Sequence, residues 1–365
     1  MLAAFCVLRF AVLPYYDNSL NAVLAAESAA VPAGIRALHD DAFVADMHAD
    51  SLLWARDLSR NHRRGQVDLP RLRAGGVDLQ VFSVVSKVPR GLNYDSNPAD
   101  SDSLPILFLA AWRSPASWFD PWQRALVQAR ELAELAEQPD FTMVLRQPDL
   151  DAPGLKGLLA LEGMHALGGR ADALDELYAA GYRMMGLAHF FDNEVAGSAH
   201  GREKHGLTDL GRVLVTRMEA LGITIDLAHA SPAAFAQTLA LARKPVVISH
   251  TGVEGTCPGP RNLSDDQLRG IARNGGVVGI GYWAGAVCDT SLVAIVEAIL
   301  HVIEVAGIDH VGLGSDFDGT ITAPLDTAGL PQITAGLVAA GLPEPDIGKI
   351  LGANLRRVLD TNLPD

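Results

Sequence analysis

Seven residues able to bind a metal or move a proton stand where short apolar runs end. His48 and Asp50 close FVADM (43–47), Glu162 closes KGLLALE (156–162), and His189 follows YRMMGLA (182–188). His229 follows GITIDLA (222–228), His250 follows VVIS (246–249), and Asp316 closes HVGLGSD (310–316). In an extended chain positions i and i+2 point to one side, so His48 and Asp50 can grip the same cation. Imidazole and carboxylate donors suit Zn²⁺, with Mn²⁺ or Co²⁺ as substitutes. Five donors (His48, Asp50, Glu162, His229, His250) exceed the three protein ligands usual for one catalytic zinc. They suit two ions sharing a carboxylate, roughly 3.5–4 Å apart, as in two-metal hydrolases. Taken singly, each would read as a hydrogen-bonded core histidine or a satisfied buried carboxylate. Their shared position at strand ends is what packing alone does not produce. His62, His200, His205, His301 and His310 occupy loop or helix positions without such partners and read as structural, while His165, close behind Glu162, is left open.

These residues need elements to hold them. The apolar runs above, with LQVFSVV (79–85) and VVGIGYW (277–283), make eight strands whose continuous hydrophobicity fits parallel strands covered on both faces. Helical spacing fills the intervals at 125–138, 172–181, 209–222, 265–276 and 291–307. Ser264 and Gln267 form a capping box, and Gly181, Gly222, Gly275 and Gly307 sit at helix ends. Eight alternations predict a (β/α)8 TIM barrel, whose chemistry collects at the carboxyl ends of the strands. A doubly wound open sheet is the alternative, but GIGYWAG and GLGSDF lack the GxGxxG spacing of a dinucleotide loop. A long insert at about 86–124, with three Trp and five Pro, reads as an ordered lid.

Lys+Arg 29 against Asp+Glu 43 gives a net charge of −14, and no basic run offers phosphate contacts, so nucleic acid is excluded as a partner. Cys6, Cys257 and Cys288 form no CxxC. A Cys257–Cys288 disulfide is open, but free buried thiols are the expectation. Residues 1–40 form an extension that opens with MLAAFCVLRFAVLPYY. It reads as a packed helix, a degenerate signal or a truncated anchor, ahead of a hydrolase domain over 41–365. The location, cytoplasmic or periplasmic and membrane-associated through this stretch, is left open. There is no GxSxG elbow, no Cys beside a candidate base and no HExxH.

The chain resembles the membrane (renal) dipeptidase family, peptidase family M19 of the amidohydrolase superfamily, from about residue 40 to 360. The motifs are DMHAD at 46–50, ALEG at 160–163, GLAH at 186–189 followed by Asn193, DLAHAS at 226–231 and ISHT at 248–251. Arg261-Asn262, DHVGLGSDFDG at 309–319 and GANLRRV at 352–358 complete them. The resemblance implies a binuclear zinc dipeptidase in which a metal-bridging hydroxide attacks the amide of small dipeptides, with a D-residue tolerated at the C-terminal side. His48 and Asp50 would bind one zinc, His229 and His250 the other, and Glu162 would bridge them. His189 would polarise the scissile carbonyl, Arg261 would hold the substrate carboxylate, and Asp316 would shuttle the proton. Tyr282, at the end of a strand, is a candidate for the pocket lining, and Asp318 reads as a turn residue. The ending RRVLDTNLPD lacks the hydrophobic tail of the lipid-anchored mammalian members. The cysteine count argues against a covalent dimer and leaves a noncovalent homodimer open. Two alternatives stand beside the dipeptidase: hydrolysis of N-acyl amino acids or lactones, and a catalytically silent metal-binding scaffold.

Overall fold

A computed structural model describes residues 2–24 and 30–365; Met1 and residues 25–29, part of the N-terminal extension, lie outside the described residues. Nine parallel strands run β1 Ala45–Ala49, β2 Leu79–Val85, β3 Phe141–Met143, β4 Leu155–Glu162, β5 Tyr182–Gly186, β6 Thr224–Asp226, β7 Val247–Thr251, β8 Val277–Ile280 and β9 Val311–Leu313. Their order is β2-β1-β9-β8-β7-β6-β5-β4-β3. Pairing of β2 with β4 from Leu79↔Lys156 to Val85↔Glu162 closes eight of them into a barrel. The ninth, β3, pairs only with Leu155–Gly157 at the start of β4, ahead of the stretch where β5 joins at Leu159. The (β/α)8 expectation therefore holds, with one short strand added.

Two apolar clusters show why the runs are continuous rather than alternating. One joins alternate strand residues, Ala45, Met47, Leu79, Val81, Leu158 and Ala160 among them, with Leu355, Val358 and Leu359 of the closing helix Asn354–Asn362. The other packs the opposite faces of the strands, such as Phe82, Leu159, Ile248 and Val278, against the outer helices. Both faces of each strand are thus covered. Helices Pro121–Leu135, Ala173–Ala179, Asp209–Leu221, Asp265–Asn274 and Leu292–Ala306 follow the helical spacing, with ends shifted by up to four residues. Thr208, Ser264 and Ser291 accept N-terminal amides, and Gly222 and Gly275 close two helices in the left-handed conformation.

Three expectations change. The strands carrying the site are placed differently: β1 and β7 run on through His48 and His250, whereas β5, β6 and β9 stop three residues before His189, His229 and Asp316. Cys257 and Cys288 are joined in a disulfide with Cα atoms 5.3 Å apart, and are not free thiols. The fold brings together two loops that the sequence keeps 31 residues apart. The insert, finally, is ordered but ends sooner than the expected boundary at about 124. It holds the helix Leu104–Ala110, and the barrel helix already begins at Pro121.

Before the barrel, Leu2–Leu20 is helical with a π turn over Leu8–Val12. Among the described residues no helix is long and apolar enough to cross a membrane.

Candidate active site

Glu162, the last residue of β4, lies at the centre of the donor cluster. Its Oε1 lies 3.0 Å from His229 Nε2, 3.5 Å from His250 Nε2 and 3.6 Å from His48 Nε2, and its Oε2 lies 3.4 Å from His189 Nε2. Gly163 follows with φ +92°, and a Cβ there would stand 2.8 Å from His165 Nδ1 and 3.0 Å from His189 Cβ, so the turn requires glycine. Asp50 reaches His48 at 3.4 Å, but from just beyond the strand, with φ −91° and ψ 27°. A register shift between Asp46 and Ala49 lets the pair converge where simple i, i+2 alternation was expected. Asp316 Oδ1 lies 3.9 Å from His48 Nε2. His229 and Asp316 both take φ +62°, a left-handed conformation that is uncommon outside glycine.

Behind the rings a second set of side chains fixes their tautomers. Ser249 Oγ donates to Asp226 Oδ2 at 2.5 Å and stands 2.9 Å from His250 Nδ1 and 3.2 Å from His48 Nδ1. With its proton on Asp226, that oxygen accepts from both Nδ1–H groups, which turns both Nε2 atoms toward Glu162. Asp46, on β1, accepts from the Ser315 amide and hydroxyl at 2.8 and 2.6 Å and so ties β1 to the loop that carries Asp316.

The charges of this pocket are unbalanced. Burial drives Glu162 well above the ordinary carboxylate range, and the charge of Asp50 adds to it. Burial also lifts Asp316 to about 8 against the pull of His48. Burial opposes a proton on His48, yet Glu162, Asp50 and Asp316 raise it to about 10. Burial holds His189, His229 and His250 well below the usual histidine range. Among the described residues His48 Nε2, Asp50 Oδ1 and Glu162 Oε2 have no hydrogen-bond partner. Three groupings bring ligand atoms within 4.8 Å of one another: His48, Asp50 and Glu162; Glu162, His189 and His229; His48, His250 and Asp316. Convergent lone pairs, orphaned buried oxygens and an excess of carboxylate are what a divalent cation satisfies, so these residues fit a metal.

A cavity of about 930 Å³ opens above this floor, and Arg261 lines it. Among the described residues the one hydrogen bond from its guanidinium runs to the His250 carbonyl at 2.6 Å, leaving other N–H groups for a ligand. Tyr282 does not line the cavity: it is wholly buried edge-on to Phe317, and the next residue, Trp283, takes that place. Asp318 is more than a turn residue. It is wholly buried and pairs with Arg56.

Tyr94, which no sequence motif marks, enters the cavity from the insert and accepts from Trp283 Nε1 at 2.8 Å. His200, expected to be structural, is buried with its ring stacked on Phe190 at 4.9 Å and 5.4 Å from that of His229. The supporting Asp226 and Ser249 sit inside the quoted DLAHAS and ISHT motifs, and that proximity was the only signal available for them.

Residues 33–363 match the model of the family described as membrane dipeptidase, peptidase family M19. The dipeptidase aclJ of Aspergillus oryzae is 30% identical over 341 residues, covering 86% of this chain and 76% of that protein. The crystal structure of dipeptidase AC, a metallo peptidase of family M19, superposes with a TM-score of 0.73 at 26% identity, covering 89% of this chain and 99% of that one. A metallo peptidase from Rhodobacter sphaeroides, liganded with a phosphinate mimic of the dipeptide L-Ala-D-Ala, gives a TM-score of 0.70 at 25% identity, covering 88% and 99%.

Proposed function

The chain belongs to the membrane dipeptidase family, peptidase family M19, and on that premise we propose that it is a two-zinc enzyme that hydrolyses small dipeptides, including those ending in a D-residue. That it is a metal-dependent dipeptidase follows from the family and its relatives. The single observation that carries the finer reading is the convergence of three imidazoles and a fourth nearby on one carboxylate, Glu162. His48 and Asp50 would hold one ion and His229 and His250 the other, with Glu162 shared. Close approach of His229 Nε2 and His250 Nε2, at 3.0 Å, supports the second pair. When bound, the metals supply a Lewis acid and lower the pKa of the attacking water.

The protein's own groups do the rest. Arg261 binds the free carboxylate of the substrate and so sets the amide over Glu162. His189, held neutral, presents an imidazole N–H to the amide oxygen as negative charge develops there. Asp316, beside His48 at the rim of the donor cluster, accepts the proton of the attacking water and returns it to the departing amine nitrogen. The dipeptide mimic bound by the Rhodobacter relative, with D-Ala at its C-terminal position, supports both the substrate class and the tolerance of D-residues. The disulfide supports residence in an oxidising compartment, since such bridges are rare where thiols are kept reduced.

The test is metal content per chain together with turnover of L-Xaa-L-Xaa and L-Xaa-D-Xaa dipeptides, N-acyl amino acids and lactones. Two zinc equivalents, release of free amino acids and loss of turnover in Asp316→Asn are expected. One metal per chain, or full activity in Asp316→Asn, would refute the corresponding assignment. Turnover confined to N-acyl amino acids or lactones would move the substrate.

A further inference from the structure

The cavity is far larger than a pair of small residues needs. At about 930 Å³ it sits at the upper end of the roughly 300–1,000 Å³ typical of pockets for drug-sized ligands. Its floor is polar, but much of the remaining lining is apolar, and part of that comes from outside the barrel. Leu8, Val12, Tyr16 and Leu20 of the N-terminal helical segment all line it. These positions recur every four residues and so form one stripe along the segment.

That segment is fastened to the barrel mouth by polar groups as well as by packing. Arg9 Nη1 donates to the Ala55 carbonyl at 3.0 Å. Asp17, 1% exposed, receives Arg64 Nε at 2.8 Å and lies 3.6 Å from Arg56 Nε. Asn21 Oδ1 accepts the Thr320 amide at 2.9 Å, and the Ala323 amide donates to the Ala22 carbonyl at 3.0 Å. Leu13 is buried in a cluster with Leu53, Trp54, Val85, Leu104 and Phe108. The polar contacts on the barrel side belong to the loops after β1 and β9, which are neighbours in the sheet, and the apolar ones also to the end of β2 and the insert that follows it.

Arg261 follows β7, two strands round from β9. In the closed barrel β7 stands opposite β2 and three strands from β1, so a dipeptide held at Arg261 by its carboxylate and lying across the mouth extends its N-terminal residue toward the loops after β1 and β2 and the stripe packed on them. We propose that the helical segment over residues 8–20 completes an apolar subsite for the side chain of the N-terminal substrate residue. The enzyme is then selective for dipeptides that begin with a large apolar residue such as Leu or Phe. This inference rests on the dipeptidase reading above and adds the element that sets its preference.

The test compares kcat/KM for Leu-Ala and Phe-Ala with that for Ala-Ala in the metal-loaded full-length enzyme. The wild type should favour the large residues by about tenfold or more, the scale of discrimination an apolar pocket gives per methylene or two. Val12→Trp fills the stripe and should bring the ratio to about one or below. Leu8→Ala and Val12→Ala, which remove bulk and threaten folding less, should each lower the ratio about three- to tenfold. A wild-type ratio near one, or variants in which every substrate declines by the same factor, would overturn the subsite while leaving the dipeptidase reading intact. No turnover of any dipeptide, Ala-Ala included, would overturn both.

Discussion

Replacing Asp318 by asparagine removes one charge from the structure beneath the Asp316 loop and changes almost nothing else in shape. Asp318 and the Arg56 side chain it pairs with are both wholly buried. The carboxylate also accepts Ser51 Oγ and the Gln66 amide at 2.7 Å each, and the Asp318 amide donates to Gln66 Oε1 at 2.7 Å. The variant strands a buried guanidinium, which typically costs about 3–5 kcal/mol. Asp17, 3.6 Å from Arg56 Nε, retains part of the compensation and puts the expectation at the lower end, about 3 kcal/mol. Against a total stability on the order of 5–15 kcal/mol, that is a large fraction. Urea unfolding at neutral pH is the assay. With a slope near 3 kcal/mol/M the midpoint falls by about 1 M. Asp316 lies two residues away, with φ +62° against +64° at Asp318, so turnover of the surviving folded protein should fall as well. Replacing both partners, as Arg56→Met with Asp318→Leu, should recover much of the stability, because a buried pair exchanged for apolar groups is often close to neutral. A loss below about 1 kcal/mol in Asp318→Asn would place the pair with exposed ion pairs and refute the reasoning.

Three further outcomes follow from single observations. Reducing the Cys257–Cys288 bridge, which spans a sequence separation of 31, should cost roughly 3–4 kcal/mol by the loop-entropy relation, read as a lower unfolding midpoint in reductant. Since Arg261 lies within the bridged span, KM for dipeptides should rise with it. Burial and the charges of Lys87 and Arg124 hold His165 down at about 3, so it is neutral in the fold and protonates first in the unfolded chain. Its contribution is fully present above about pH 6.5 and is lost as pH falls from there toward 3, at about 1.4 kcal/mol per unit. His165→Gln, which can keep the Ser86 hydrogen bond, should flatten that dependence between pH 6.5 and 5, and an unchanged slope would reject the assignment. Arg261→Ala should lower kcat/KM for free dipeptides by 2–5 kcal/mol, about 30-fold to several thousandfold, and that for dipeptide amides far less. Equal losses on both would sever Arg261 from the carboxylate.

The barrel and the donor cluster at its mouth could be read from the sequence because they depend on local rules. A parallel strand covered on both faces must be apolar along its length, so a His or Glu that ends such a run stands out, as Glu162 does at the end of β4. What escaped was fixed by tertiary approach. Ser249 looks like any strand serine until Asp226, from the neighbouring strand, and His48, from across the barrel, arrive at its hydroxyl. Asp318 follows Asp316 in a glycine-flanked turn, and only the fold brings Arg56 to it. Tyr282 and Trp283 are adjacent aromatics after β8, and the sequence offers no means to decide which faces the cavity. The disulfide depends on two loops meeting, which no spacing encodes. The N-terminal segment is the extreme case. Its apolar stripe has the same composition whether it enters a membrane, is removed, or packs on a neighbour. The groups that fasten it, Asp17 and Asn21 against Arg64 and Thr320, become partners only after the barrel mouth exists. The candidate metal donors were therefore legible by type, and the residues that position them only by contact, so the element proposed to set specificity lies in a part of the chain whose sequence alone does not decide its role.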